Sequence, residues 1–276
     1  MTGSVKDLLS VEKPSRYFPF ELGRADKKWD NKKLSFCLSY PDSYEIGMSN
    51  LGLRIIYSLL NSFEKVVCDR IFCPFSDMEE KYKNQNYDFT SIEHNKKLNE
   101  FDVLGFTFQY ELLYTNFLTI LNLGSIDFDK SKRNDEQPII IAGGPAMFNP
   151  AIMRKFADFI FVGEAEQSLK IFTEYLIDFK NKNASRSYII QNMPEIEGVL
   201  NTHKPSKVKR TWVEDFENCF FPDKWLVPLS SITHDRIFLE IMRGCPHGCR
   251  FCQAGFLYRP LRYRSVEKLK NIADKL

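Results

Sequence analysis

The sequence predicts an α/β fold in which a doubly wound domain with a parallel sheet occupies residues 34–182. Two observations carry this prediction. Short, continuous apolar runs alternate along the chain with longer segments whose apolar residues recur at helical spacing. Several of the apolar runs end in turns that contain glycine. Strands that are buried on both faces and joined by helices have this pattern.

Five apolar runs are predicted as the strands of the sheet. They are Leu34–Tyr40, Lys65–Phe72, Asp102–Phe108, Ile139–Ala142 and Ala157–Val162. Five strands with intervening helices fit the flavodoxin-like, doubly wound (Rossmann-like) pattern. In that pattern ligands bind at the carboxyl ends of the strands, near the switch between strands 1 and 3.

Helical periodicity predicts four helices in this domain. They are Leu51–Phe63, Asp77–Asn84, Leu112–Leu123 and Ala165–Phe179. Asn50 is the expected N-cap of the first, because its side chain can accept a hydrogen bond from a free backbone N–H.

The rest of the chain divides into three segments. Residues 1–33 read as an irregular lead-in, and residues 183–235 as a proline-containing connector with short strands at Ser187–Gln191 and Gly198–Asn201. Residues 236–276 begin with a strand, Ile237–Met242, and end with a helix, Val266–Leu276, that follows the N-cap Ser265. The loop between them is rich in glycine and cysteine.

Composition limits the classes of function. The chain has 276 residues, of which 43% are hydrophobic and 27% charged, so it can bury a core and is not a disordered tail. A net charge of +2 excludes a histone-like or strongly acidic chain. Residues 236–276 carry nine basic against three acidic residues, so an anionic ligand or nucleic acid is sought there first. No membrane-length apolar run and no signal-peptide core occur, which predicts a cytoplasmic protein without membrane partners.

Three of the seven cysteines lie together, in Arg243-Gly-Cys245-Pro-His-Gly-Cys249-Arg-Phe-Cys252. Three thiolates at C-x3-C-x2-C spacing can each bind one iron of a cubane cluster, which leaves the fourth iron open. The spacing differs from that of bacterial ferredoxins. A zinc site, which usually needs a second pair of ligands, and three unligated cysteines are the alternatives.

This loop resembles the cluster-binding signature of radical S-adenosylmethionine (radical SAM) enzymes. The resemblance implies a [4Fe–4S] cluster on Cys245, Cys249 and Cys252, with Phe251 beside the adenine of S-adenosylmethionine. It also implies that the loop follows the first strand of a partial TIM-like (βα)6 barrel. In that family, one electron from the cluster cleaves S-adenosylmethionine and releases a 5′-deoxyadenosyl radical.

The resemblance is closest to an uncharacterised subgroup with an N-terminal B12-binding-like domain. Residues 252–255 (Cys-Gln-Ala-Gly) and 258–260 (Tyr-Arg-Pro) match its run after the cluster. Polar and glycine residues at the predicted strand ends resemble cobalamin-binding elements: Asp42, Tyr44, Gly47, Thr107, Gly143 and Gly144. Tyr44 stands where those elements have the cobalt-ligating histidine. Either cobalamin binds without that histidine, or the domain keeps the fold and has lost the cofactor.

Three hypotheses on function remain open. The first is the N-terminal portion of a radical SAM enzyme with an unknown substrate, for which RNA is one candidate because residues 255–264 interleave arginine with aromatics. The second is a metal-dependent RNA-binding module, and the third is a cobalamin-binding domain without radical catalysis. The 41 residues from Arg236 hold only one βα unit. We therefore expect a longer product or another chain to complete the barrel, and no turnover by this chain alone.

Overall fold

The computed structural model describes residues 9–84, 87–204 and 207–276; the first eight residues of the predicted lead-in lie outside these ranges. The strands are β1 Glu21–Leu22, β2 Leu34–Tyr40, β3 Val66–Phe72, β4 Val103–Thr107, β5 Ile139–Gly143, β6 Phe159–Phe161, β7 Val199–Asn201, β8 Val227–Pro228, β9 Met242–Arg243 and β10 Arg262–Tyr263. The α-helices are α1 Tyr44–Gly47, α2 Leu51–Ser62, α3 Ser76–Asn84, α4 Leu113–Leu123, α5 Glu166–Asn181, α6 Arg186–Asn192, α7 Ala254–Leu257 and α8 Val266–Ala273. Short 3-10 helices lie at Pro14–Arg16, Leu98–Glu100, Pro145–Phe148 and Met153–Lys155.

A six-stranded sheet in the order β3-β2-β4-β5-β6-β7 forms the centre of the molecule. Strands β2 to β6 are parallel, and β7 pairs antiparallel with β6. The five parallel strands are the five predicted ones, in the order 2-1-3-4-5 of a flavodoxin-like sheet. The predicted parallel sheet and its helices are therefore confirmed.

The apolar runs become strands because the sheet is covered on both faces. Every residue of β2 and β3 is buried, so neither face of these strands meets water. Asn50 caps α2 as predicted, since its Oδ1 accepts a hydrogen bond from the N–H of Leu53 at 2.8 Å. None of the helices in the described ranges is long and apolar enough to cross a membrane.

The segment predicted as a connector contributes to the sheet. The predicted strand Ser187–Gln191 is wrong, because these residues lie in helix α6. Ser185 caps that helix, and Arg186 forms a 2.6 Å ion pair with the buried Asp158. The predicted strand at 198–201 is confirmed as β7, so the sheet extends past residue 182.

The predicted strand Ile237–Met242 is wrong over residues 237–241. Only β9 forms, and among the described residues it pairs with β10 alone. The alternating side chains of Ile237, Leu239 and Ile241 are 52%, 40% and 55% exposed, because no strand or helix of the described ranges covers them. Helix α8 begins as predicted after Ser265, whose Oγ accepts from the N–H of Lys268 at 3.1 Å.

Candidate functional site

A small cavity lies at the carboxyl ends of the parallel strands. Its volume is about 90 Å³, and Thr107, Gly143 and Gly144 line it together with residues of α2 and α5. The structure thus brings three of the predicted cofactor-binding residues to one place, at the edge where doubly wound folds bind ligands. Small-molecule sites usually measure about 300–1,000 Å³, so this cavity holds a few waters or a small group.

Ser39 is a further polar residue of this cavity, and it is not among the predicted site residues. It lies in β2 and is 1% exposed, and its Oγ has no hydrogen-bond partner among the described residues. Buried hydroxyls are almost always hydrogen bonded, so this atom is free to bind a water or ligand in the cavity. The sequence signal was weak, because one serine in an apolar run reads as an ordinary strand residue.

The two glycines of the cavity have different structural roles. Gly144 has φ +97°, and a Cβ at this position would come within 2.5 Å of the carbonyl oxygen of Phe108. Gly143 has room for a Cβ, since its nearest contact would be Phe161 at 3.7 Å. The turn therefore requires glycine at position 144. At position 143 a side chain would fit, and its absence leaves space in the wall of the cavity.

Tyr44 lies away from this cavity. Its side chain is 1% exposed, and its hydroxyl donates to Oε1 of Glu21 at 2.6 Å. Burial, followed by the charge of Glu21, raises the pKa of the Tyr44 hydroxyl far above its ordinary value. Gly47 fits against the ring of Phe72, which a Cβ would approach to 2.3 Å. Both residues pack the fold at this point.

Asp42 is half-buried at the end of β2. Its Oδ1 accepts from the N–H of Ser43 at 2.7 Å, and its Oδ2 accepts from the hydroxyl of Tyr110 at 3.5 Å. The residues present do not fit cobalamin, because Tyr44 is engaged with Glu21 and the cavity is too small for a corrin ring.

The cysteine loop lies at the surface between β9 and β10. Cys245 and Cys252 are half-buried and Cys249 is exposed, while the ring of Phe251 is 93% exposed. A turn closes the loop, since the N–H of Cys252 donates to the carbonyl of Cys249 at 3.2 Å. All three sulfur atoms are thus on one short segment.

The donor set of this loop fits an iron–sulfur cluster, which is held by cysteine thiolates. Binding also requires the three sulfur atoms to point toward one centre. Among residues 9–84, 87–204 and 207–276, no three His, Cys, Asp or Glu side chains are arranged to hold a metal ion. Cluster ligation by Cys245, Cys249 and Cys252 therefore stays a prediction that requires the loop to close around the cluster.

The loop is anchored to the sheet through its flanking residues. Arg243 precedes Cys245 by two residues and forms ion pairs with Glu164 at 3.2 Å and Glu166 at 2.5 Å. Glu164 lies in the turn that follows β6, and Glu166 is the first residue of α5, so both lie at the carboxyl edge of the sheet. The sequence does not indicate that these glutamates pair with Arg243, because the partners lie far apart along the chain.

Comparison with known proteins supports one family. The chain is 26% identical over 238 residues to an uncharacterised protein of Methanocaldococcus jannaschii, a match that covers 86% of this chain and 44% of that protein. The chain thus spans less than half the length of that curated relative. No solved structure matches this chain. A family model described as "Radical SAM proteins, N-terminal" matches residues 52–200, more than half of the chain. The chain therefore belongs to the radical SAM proteins, of which it carries the N-terminal region.

Proposed function

We propose that this chain is the N-terminal portion of a radical SAM enzyme and that its cysteine loop holds a [4Fe–4S] cluster. The observation that carries the proposal is the loop itself, with three thiols at C-x3-C-x2-C spacing in a member of this family. Cys245, Cys249 and Cys252 would hold three irons. When bound, the cluster would supply the electron that cleaves S-adenosylmethionine.

The residues of the chain support this role in distinct ways. The three thiols lie at the surface, where a cluster can be assembled on them without unfolding the sheet. The other cysteines, Cys37, Cys68, Cys73 and Cys219, are buried. Phe251 is exposed next to Cys252, where its ring is free to stack on the adenine. The rest of a partial TIM-like barrel, from a longer product or another chain, would cover the exposed face of residues 237–241.

Anaerobic reconstitution tests the proposal. The chain is incubated with iron and sulfide, and the reduced sample is examined by electron paramagnetic resonance with and without S-adenosylmethionine. We expect a [4Fe–4S] signal that S-adenosylmethionine alters, and no signal from a variant with Cys245, Cys249 and Cys252 changed to alanine. Cys73→Ala is the matched control and keeps the signal. Stoichiometric zinc without a cluster signal would contradict the proposal.

A second proposal is an RNA-contacting surface beside the loop. The guanidinium of Arg210 donates to the carbonyls of Leu257 and Arg259 at 2.6 and 2.7 Å, which brings the basic segment 207–212 next to the residues after the loop. Exposed cations and aromatic rings lie on these two segments and on the loop itself: Lys207, Lys209, Arg250, Arg259, Phe251 and Phe256. Cations pair with phosphates, and exposed rings stack on unpaired bases.

Fluorescence anisotropy with a labelled single-stranded RNA tests this surface. We expect binding that weakens as salt rises, and a loss of affinity in Lys207→Gln/Lys209→Gln. The control, Lys28→Gln/Lys32→Gln, removes the same charge from exposed lysines of the N-terminal segment. Equal losses in the two double variants would attribute the binding to net charge and exclude a specific surface.

A further inference from the structure

An ion-pair cluster joins the turn after β6 to both sides of the cysteine loop. We call it the arginine–glutamate cluster, and it consists of Glu164, Glu166, Glu240, Arg243, Arg262 and Arg264. Arg243, on the entry side of the loop, contacts Glu166 at 2.5 Å, Glu240 at 2.7 Å and Glu164 at 3.2 Å. One guanidinium thus bridges the residues that follow β6 and Glu240, which precedes β9.

Arg262, on the exit side of the loop, contacts the same turn. Its Nη2 and Nη1 donate to the two carboxylate oxygens of Glu164 at 2.5 and 2.8 Å. Nη1 also donates to the carbonyl of Val213 at 2.6 Å. A two-point contact between guanidinium and carboxylate fixes direction as well as distance. Glu164 therefore holds the residues before and after the loop at once.

A buried aromatic ring lies under the three arginines of the cluster. Phe216 is 2% exposed, and the guanidinium carbons of Arg264, Arg243 and Arg262 lie 4.4, 5.2 and 5.9 Å from its ring centroid. Cations at this distance are attracted to the face of the ring. All three side chains, which come from β9, from β10 and from the residue after β10, therefore pack on the same ring.

The charges of the cluster balance, with three carboxylates against three guanidiniums. Burial pushes the pKa of Glu164 upward, but the hydrogen bonds from Arg262 and from the N–H of Val213 outweigh it and hold this pKa below its ordinary value. Glu164 thus keeps its charge. The hydrogen bond and charges of Glu240 and Glu166 raise the pKa of Arg243 in spite of its burial.

The backbone of the turn holds Glu164 against the segment 211–213. Gly163 has φ +108°, and a Cβ there would lie 2.1 Å from the carbonyl oxygen of Thr211. The N–H of Glu164 donates to that carbonyl at 3.0 Å, and Glu164 Oε2 accepts from the N–H of Val213 at 2.7 Å. These hydrogen bonds fix the turn on the segment 211–213 independently of its contacts with the arginines.

We propose that Glu164 and Glu166 are positioning residues that fix the cysteine loop at the carboxyl edge of the sheet. The importance of the loop rests on the proposed function, whereas its position is a property of the chain without a cluster. The two glutamates act through Arg243 and Arg262, which bracket Cys245, Cys249 and Cys252. Without them, both ends of the loop lose their contact with the turn after β6.

Hydrogen exchange followed by mass spectrometry on the cluster-free chain tests this position. We expect the amides of residues 243–264 to exchange at least tenfold faster in Glu164→Gln, while those of β5 keep the wild-type rate. Glu214→Gln is the matched control, because it removes the same charge from an exposed residue near the cluster. Wild-type rates in residues 243–264, or equal acceleration in β5, would overturn the proposal.

A double-mutant cycle keeps the test specific. We expect the exchange rate of Glu164→Gln/Arg262→Gln to rise by less than the product of the two single effects, since both substitutions remove the contact between Glu164 and Arg262. An exchange rate that rises by the full product of the two single effects would mean that the two residues act independently. Arg262→Lys keeps the charge, loses the two-point contact, and is expected to fall between wild type and Glu164→Gln; a rate equal to that of Glu164→Gln or faster would contradict this.

The reconstituted chain gives a second readout. If a cluster assembles, Glu164→Gln is expected to broaden its paramagnetic resonance signal, because the loop adopts more than one position, whereas Glu214→Gln keeps the wild-type line. An unchanged line in Glu164→Gln would count against the proposal. If the wild-type chain assembles no cluster, the proposed function fails. Hydrogen exchange on the cluster-free chain still tests whether Glu164 fixes the position of the loop.

Discussion

A network of polar side chains surrounds Arg70 of the edge strand β3. Arg70 is fully buried and forms ion pairs with Glu21 at 2.5 Å and Glu93 at 2.7 Å. Burial alone would raise the pKa of Glu21, but the charge and hydrogen bond of Arg70, with further hydrogen bonds, lower it to about 2. Tyr44, predicted to lie in a cofactor site, belongs to this network through its hydrogen bond to Glu21.

Replacement of Tyr44 by phenylalanine tests this structural role. The ring keeps its edge contact with Phe72, so Tyr44→Phe removes only the hydrogen bond to a buried carboxylate. We expect the free energy of unfolding to fall by about 2 kcal/mol, measured by urea denaturation. Added hydroxocobalamin should show no spectral shift with either protein. A shift that Tyr44→Phe abolishes would contradict this assignment.

His94 adds a pH dependence to stability. Its Nδ1 lies 2.6 Å from Oδ1 of Asp69, and this hydrogen bond raises the pKa of His94 above its ordinary value in spite of burial. The folded state therefore binds more protons than the unfolded state between the two pKa values. The stabilisation is complete below the unfolded pKa, about 6.5, and is lost as pH rises through the folded pKa.

We expect the free energy of unfolding to decrease as pH rises through this window, and His94→Asn to remove that component. Urea denaturation at several pH values, with NMR titration of the His94 ring, measures both effects. His234→Asn, at an exposed histidine, serves as the control. A pKa of His94 at or below 6.5 would refute the prediction.

The turn after β5 gives a prediction at the scale of one element. Gly144→Ala places a side chain at φ +97° against the carbonyl of Phe108, whereas Gly143→Ala meets only ordinary contacts. We expect Gly144→Ala to lower the free energy of unfolding by about 2 kcal/mol or more, and Gly143→Ala to stay near wild type. Thermal unfolding of the two variants compares them directly. Equal losses would mean that the turn does not distinguish the two positions.

Cysteine accessibility gives a prediction for the whole molecule. Burial is the main cause that raises the pKa of Cys37 and Cys68 far above the ordinary value, and the pKa of Cys73 to about 12. Burial, followed by the charge of Glu166, raises the pKa of Cys219 to about 11. Thiolates react and thiols do not, so these four should resist alkylation in the folded protein.

We expect iodoacetamide to modify Cys245, Cys249 and Cys252 in the native chain, and the remaining four only after unfolding. Peptide mass spectrometry identifies the modified residues. Reconstitution with iron and sulfide should protect the three loop thiols if they hold the cluster. Rapid native modification of Cys37 or Cys68 would show that the sheet opens more easily than its burial implies.

The cavity at the carboxyl edge was predicted in part from the sequence. Thr107 and Gly143 end two neighbouring strands and Gly144 follows the second. Parallel strands bring their carboxyl ends together, so the pattern alone implies that these residues meet. Tyr44 and Gly47 also follow a strand, but helix α1 turns them toward β3 and into the packing there. A loop that follows a strand has no periodicity from which this direction could be predicted.

Local patterns in the sequence determined the five parallel strands, the N-caps Asn50 and Ser265, and the dense cysteine loop, because periodicity, capping and spacing act over a few residues. Only the tertiary structure decided that residues 186–192 form a helix beside Asp158. It alone brought Glu164 to Arg262, 98 residues further on. Such ion pairs depend on how distant segments pack, and a charged residue in the sequence does not indicate its partner.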